Sequence, residues 1–246
     1  MLTPSSPAFL GKGRTPQGVR IYAVGDIHGR ADLLQKLLVR VEEDARLSNK
    51  ERVIFITLGD LVDRGDYSKE TIDILLKLPP EWQHISLRGN HEEMLLGFLD
   101  NPEENSVWLL NGGLALLQSY GMKIFKPTFN HKELHNISKE FSEKIPSRHL
   151  QYLQSQELYY KSEEYLFVHA GLRPRIPLEK QKKDDILWIR EEFLNEDYNF
   201  GPMIIHGHTV SSVPDICKNR VGIDTGAVFS GKLTCLALQG SEAWFI

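Results

Sequence analysis

Cysteine is almost absent: Cys217 and Cys235 are the only two in 246 residues. They are too few for a disulfide framework and too far apart for a C-x-x-C redox or zinc pattern, so both read as small apolar residues. Long hydrophobic runs are missing as well. The longest apolar stretch goes only from Val53 to Leu58, against the ~18 residues a membrane span requires. The opening MLTPSSPAFLGKGRTPQG has no apolar core of a secretory signal, so the expectation is a cytoplasmic chain without a membrane partner. Basic charge is not in excess either. Lys and Arg total 29 against 33 Asp and Glu, a net charge of −4, which argues against a nucleic-acid partner. What remains, 41% hydrophobic and 25% charged with 19 Gly and 12 Pro, is an ordinary globular composition. A chain of this size buries enough surface to fold without a metal, so any ion it holds serves chemistry.

Residues 1–18, rich in Pro, Gly and Ser, read as a flexible leader, and 19–246 as one domain. Val19–Val24 is β-prone, and after Gly25-Asp26-Ile27-His28-Gly29 the residues Leu33, Leu34, Leu37, Leu38 and Val41 fall at helical spacing. The same strand, loop and helix order recurs with Val53–Leu58, the loop 59–66 and Ser68–Leu78. It recurs again with Ile85–Leu87, Arg88-Gly89-Asn90 and a helix over His91–Leu99. Repeats of roughly 30 residues are the length of β-α-β units. A parallel sheet follows, with all three loops at the carboxyl ends of its strands, where open α/β sheets bind ligands. Residues 100–156 break the rhythm and read as a helical cap or insertion, helical over Trp108–Gln118 and Arg148–Gln154. Its Trp108, Tyr120, Phe125 and Phe129 read as packing residues, or alternatively as a stacking platform for a base. Beyond it, Leu158–Tyr160 and Tyr165–Val168 read as paired strands, and the rest alternates short β-prone runs with turns. The residues alone therefore say α/β, then β-rich.

Five of the β-prone runs end in a small residue beside a metal-ligand type: Gly25-Asp26-Ile27-His28, Gly59-Asp60, Gly89-Asn90-His91, His169-Ala170-Gly171 and Gly207-His208. One such pair alone says little, because Gly-Asp turns are common and a lone His is usually a satisfied polar residue. Together they offer two carboxylates, one amide oxygen and, besides His91, three imidazoles. That donor set suits Mn²⁺, Fe or Zn²⁺ better than Mg²⁺ or Ca²⁺.

Taken in order, Asp26-x-His28, Gly59-Asp60-Leu61-Val62-Asp63-Arg64-Gly65, Arg88-Gly89-Asn90-His91-Glu92, His169-Ala170-Gly171 and Gly207-His208-Thr209 resemble the phosphoprotein phosphatase branch of the calcineurin-like metallophosphoesterases. The likeness spans residues 20–240 and comes nearest to compact bacterial and phage serine/threonine phosphatases and to the bacterial symmetrical bis(5'-nucleosyl)-tetraphosphatase. It implies two packed mixed β-sheets flanked by helices. It also implies two divalent ions, Mn²⁺ first: Asp26 and His28 on one, Asp60 bridging, and Asn90, His169 and His208 on the other. By the same resemblance a hydroxide held between the ions attacks phosphorus in line, His91 oriented by Asp63 protonates the leaving oxygen, and Arg64 and Arg190 grip the phosphate. A structural ion pair at Arg64, and a solvated helix start at Arg190, are the plain alternatives. His206 reads as structural, and His84, His131, His135 and His149 as surface or cap residues.

The expected activity is hydrolysis of phosphoserine or phosphothreonine in proteins, favoured by the Ser68 and Glu70 continuation of the second motif and by Leu187-Trp188-Ile189-Arg190. Cleavage of dinucleoside polyphosphates is the alternative. A metal-free scaffold is disfavoured because every expected ligand is present, and a nucleic-acid phosphodiesterase because of the acidic balance.

Overall fold

The computed structural model describes residues 13–47, 52–124, 126 and 128–246, and the backbone of the pair Ala8–Phe9. Two sheets form its centre. The first contains β1 (Ala8–Phe9), β2 (Val19–Val24), β3 (Arg52–Thr57), β4 (Gln83–Ser86), β10 (Cys235–Gln239) and β11 (Glu242–Phe245), in the order β1-β11-β10-β2-β3-β4. β2, β3 and β4 run parallel, with Tyr22 beside Phe55 and Phe55 beside His84, while β10 and β11 add antiparallel. The second contains β5 (Tyr159–Ser162), β6 (Tyr165–Val168), β7 (Met203–His206), β8 (Asp215–Ile216) and β9 (Arg220–Gly222), in the order β5-β6-β7-β9-β8. It is mixed too, with β6, β7 and β9 parallel. Two packed mixed sheets are thus what the family resemblance implies, where composition and periodicity reach only α/β followed by β.

Side chains alternate across each strand, so every central strand serves two cores. Ile21, Ala23, Ile54 and Ile56 of the first sheet meet Tyr165, Phe167, Met203 and Ile205 of the second between the sheets. The opposite faces of β2 and β3, with Tyr22, Val24, Val53 and Phe55, pack beneath α1 (Ala31–Leu47), α2 (Ser68–Leu75) and α3 (Asn90–Asp100). Leu166, Val168 and Ile204 face outward under α7 (Lys183–Trp188) and α8 (Glu191–Leu194). Strands buried on both faces are why these runs are apolar throughout rather than alternating. Cys235 lies in this core and Cys217 is half-buried beside Asp215, and the two do not pair.

The insertion contains α4 (Leu114–Ser119), α5 (His131–Lys144) and α6 (Ser147–Gln154). Instead of one helix over Trp108–Gln118, a π-type turn at Leu109–Gly113 precedes α4, broken at Gly112 with φ 116°. Trp108, Tyr120 and Phe129 join the helical core, whereas Phe125 lies outside the described residues. His149 is fully buried and ties the insertion to α2 through Tyr120 and Asp73. Of the leader, Ala8–Phe9 pairs with β11, and the Thr15 N–H donates to the Gly240 carbonyl, 3.0 Å. Among the described residues no helix is long and apolar enough to cross a membrane.

Candidate dinuclear metal centre

The loops following β2, β3, β4, β6 and β7 converge at one end of the two sheets. Six of the seven non-glycine residues with positive φ among the described residues lie in them, and five of these are candidate site residues: His28, Asp60, Asp63, Arg64 and His208. Such backbone is uncommon outside glycine, and held strain of this kind gathers where side chains must be aimed. Glu92 fixes the loops to one another. Its buried carboxylate accepts the N–H groups of Asp60, Leu61 and Gly89 at 2.8–2.9 Å and that of Val62 at 3.3 Å. Burial, and then Asp60, push its pKa up to about 7.

Two groups of side chains offer ligand atoms lying within 4.8 Å of one another: His28, Asp60 and His91, and Asp60, His169 and His208. Asp60 belongs to both, which matches the bridging position. Burial opposes its charge, but His169, His91 and His28 together hold its carboxyl well below the usual range. Asp26, expected beside His28, is buried and accepts the His208 N–H at 3.1 Å on each oxygen. Burial, then the neighbouring carboxylates Asp224 and Asp60, raise it well above an ordinary aspartate. Asn90 opens α3 and sets its Oδ1 2.9 Å from His169 Nε2.

The chemistry of these donors fits cations. His169 donates its Nδ1–H to the Leu58 carbonyl, 2.8 Å away. Burial keeps the ring neutral, so Nε2 presents a lone pair. That lone pair faces Asn90 Oδ1 and, at 3.5 Å, Asp60 Oδ1. Three acceptors converge with no proton among them, an arrangement a cation resolves. His28 repeats the pattern: Nδ1 donates to the Val62 carbonyl at 2.9 Å, and Nε2 faces Asp60 Oδ2 at 3.5 Å. The Arg64 guanidinium reaches the same Nε2 at 2.8 Å, a cation already drawn to that spot. His208 Nε2 is buried with no hydrogen-bond partner among the described residues. Burial carries His28 down to about 3 and His208 down to about 2, the neutral state that ligation requires. A carbonyl on the far nitrogen is the usual way a ligating imidazole is oriented.

His91 differs from the other imidazoles. Its Nδ1 faces Asp63 Oδ2 at 2.8 Å, and its Nε2 stands 3.9 Å from Asp60 Oδ2. Burial pulls it down, but Asp60 and the hydrogen-bonded Asp63 outweigh burial and favour the imidazolium. Asp63 is itself raised by burial. His91, though not Asp63, borders an open cleft of about 540 Å³, lined also by Asp60, Arg64, Asn90, Trp188, Arg190 and Phe229 among others. Arg190, exposed at the start of α8, bonds Thr209 Oγ1 at 3.2 Å and also lines the cleft. His206 turns away and packs edge-on against Phe193, ring centroids 5.1 Å apart. Two residues given no role by the sequence belong here: Glu92, and Asp224, whose buried carboxylate crowds Asp26. Glu92 ends the Arg88-Gly89-Asn90-His91-Glu92 segment and Asp224 follows β9, but nothing local tells that either faces the site.

The calcineurin-like phosphoesterase family model matches residues 19–228. The chain is 24% identical over 245 residues to the asymmetrical bis(5'-nucleosyl)-tetraphosphatase PrpE of Oceanobacillus iheyensis, covering 91% of this chain and 90% of that protein. It is 28% identical over 224 residues to serine/threonine-protein phosphatase 1 of Salmonella typhimurium, covering 89% and 92%. A solved cold-active protein tyrosine phosphatase shares the fold at a TM-score of 0.56 and 15% identity, over 92% of this chain and 77% of that one. A family match across most of the chain, joined to two buried ligand groups that share one aspartate, makes this protein a member of the calcineurin-like phosphoesterase family and a metal-dependent phosphoric ester hydrolase.

Proposed function

We propose that the chain is a dinuclear-metal-dependent phosphomonoesterase acting on phosphoserine or phosphothreonine in proteins. Asp26, His28 and Asp60 hold one ion, and Asp60, Asn90, His169 and His208 the other, with Mn²⁺ the ion best suited to this mixed oxygen and nitrogen set. When bound, the pair supplies an activated water and neutralises charge building on the phosphoryl oxygens.

The chain's own groups do the rest. Arg64 and Arg190, on the walls of the cleft, hold the phosphate by paired N–H donors. The Asn90 side chain also borders that space and orients the same oxygens. His91 carries a proton on Nε2, and Asp63 holds the ring through Nδ1. This dyad is the observation that carries the reading. A serine or threonine alkoxide is a poor leaving group and needs a proton as the P–O bond breaks, whereas a nucleotide released from an anhydride leaves without one. Trp188 and Phe229, 45% and 76% exposed beside the cleft, favour a second reading, in which a base of a dinucleoside polyphosphate stacks there. The tetraphosphatase relative supports the same alternative.

Turnover with Mn²⁺ on a phosphothreonine peptide and on diadenosine tetraphosphate at equal concentration separates the two. A kcat/KM on the peptide at least ~100-fold higher, about 2.7 kcal/mol of transition-state preference, is the expected result. The reverse ratio makes the protein a nucleotide hydrolase.

A further inference from the structure

The insertion reaches into the reaction centre through one indole. Trp108 is fully buried, and its Nε1–H donates to Asp63 Oδ2 at 2.8 Å. That oxygen is the one facing His91 Nδ1, also at 2.8 Å. The other carboxylate oxygen, Asp63 Oδ1, is buried and has no hydrogen-bond partner among the described residues. The orientation of the Asp63 side chain therefore rests on Trp108 and His91 alone.

The backbone around Trp108 is shaped for this contact. The Gly112 carbonyl accepts the Arg64 N–H at 3.2 Å, gripping the loop right after Asp63. Gly112 has φ 116°, and a Cβ there would lie 2.7 Å from the Arg64 nitrogen. A Cβ on Gly113 would lie 2.5 Å from the Trp108 ring. One glycine lets the insertion approach Arg64, and the next makes room for the indole. Phe98 closes the other side, ring centroids 5.0 Å apart. Packing alone does not require an N–H aimed at a carboxylate across a separation of 45 residues.

We infer that Trp108 is a positioning residue for the proton-donating dyad. Its indole N–H fixes the Asp63 carboxylate so that Oδ2 holds His91 with Nε2 toward the leaving oxygen. An indole suits the task, because it donates without accepting and without titrating in the working range, so it never competes for the proton that His91 delivers. The inference rests on the reading of His91 as proton donor.

The test compares wild type, Trp108→Phe and His91→Asn on a phosphothreonine peptide and on p-nitrophenyl phosphate, whose aryl oxide departs without a proton. Trp108→Phe is expected to lower kcat on the peptide roughly 10- to 100-fold, with KM unchanged and p-nitrophenyl phosphate turnover within about threefold. His91→Asn is expected to show the same contrast more strongly. If His91→Asn loses both substrates equally, the proton-donor reading fails. If His91→Asn discriminates and Trp108→Phe does not, the role given to Trp108 alone fails. Gly113→Ala, which pushes the ring without removing it, must repeat the contrast should Trp108→Phe fold poorly. A readout independent of turnover is the Trp108 indole N–H resonance of ¹⁵N-labelled protein: slow solvent exchange and a shift on Asp63→Asn support the inference, and an unmoved resonance overturns it.

Discussion

Gly207→Ala tests the position of Asp26 with a single methyl. A Cβ on Gly207 falls 2.2 Å from Asp26 Oδ1, whereas the nearest backbone atom, the His169 carbonyl oxygen, is 3.7 Å away. The φ of Gly207 is not positive, so alanine fits the backbone without strain. The carboxylate must therefore retreat by about 1 Å to reach ordinary contact distance. Its two bonds to the His208 N–H loosen as it moves. For a metal ligand such a shift costs roughly 10- to 100-fold in metal affinity. A misplacement of about 1 Å also costs roughly 100-fold in rate at saturating metal, some 2.7 kcal/mol. The assay is kcat/KM on p-nitrophenyl phosphate against Mn²⁺ concentration, paired with thermal melting in chelator. The expected variant melts within about 3 °C of wild type, because the displaced group is a side chain and about 1 kcal/mol moves Tm by only 2–4 °C at this size. Metal dependence and rate both within threefold of wild type would show that no ligand stands at Asp26. Gly89→Ala is the contrasting control: its Cβ meets the Asp60 backbone nitrogen at 2.3 Å, so it must lose stability along with activity.

Glu92→Gln turns one acceptor of the four loop N–H groups into a donor that faces them; a stability loss of about 3 kcal/mol is expected, read as a fall in Tm of roughly 6–12 °C. His84 lies between Phe55 and Tyr152, and burial takes it down to about 4, below its unfolded value, so the unfolded chain binds the proton first. Its contribution is therefore intact at pH 7 and is lost as pH falls from 6.5 toward 4, about 2 kcal/mol of it by pH 5. His84→Phe should shrink the difference in unfolding free energy between pH 7 and pH 5 by that order, and an unchanged difference would refute the assignment. Arg190→Ala should lower kcat/KM roughly 10- to 100-fold on every phosphate substrate, the worth of a hydrogen bond to a charged oxygen, with Arg190→Lys recovering only part because it loses the planar fork. Equal activity in wild type and Arg190→Ala would leave Arg190 as a structural partner of Thr209 and the His208 carbonyl.

How far the sequence carries depends on how local each cause is. β2 and β6 take the bounds read for them, because apolar runs ended by Gly25 and by His169-Ala170-Gly171 are settled within a few residues. α5 went unread although its signals are local: Asn130 accepts the Glu133 N–H in a capping box, and Leu134, Ile137 and Phe141 follow at helical spacing. Trp108 is a different matter. Its apolar neighbours read as packing, which is true of the ring, and nothing within several residues tells that its N–H meets Asp63.

The same division runs through the site. Which residue types stand at the strand ends is legible, because a glycine beside each ligand type is a local pattern. How they are aimed is not, because His28, Asp60, Asp63, Arg64 and His208 all adopt a left-handed backbone that their own preferences oppose. Each such residue costs of order 1–2 kcal/mol and persists only if its surroundings over-determine it. Glu92 supplies that constraint at Asp60, and the Gly112 carbonyl does so at Arg64. Asp63 is held between the Ser68 hydroxyl on its backbone N–H and the indole on its side chain. These partners come from α2, from α3 and from the insertion, elements far apart in the chain that pack together over the first sheet. The insertion is therefore part of what keeps the loop of Asp63 and Arg64 strained into place, and changes at Trp108, Gly112 or Gly113 should be felt at His91 and Arg64 before they are felt in the fold.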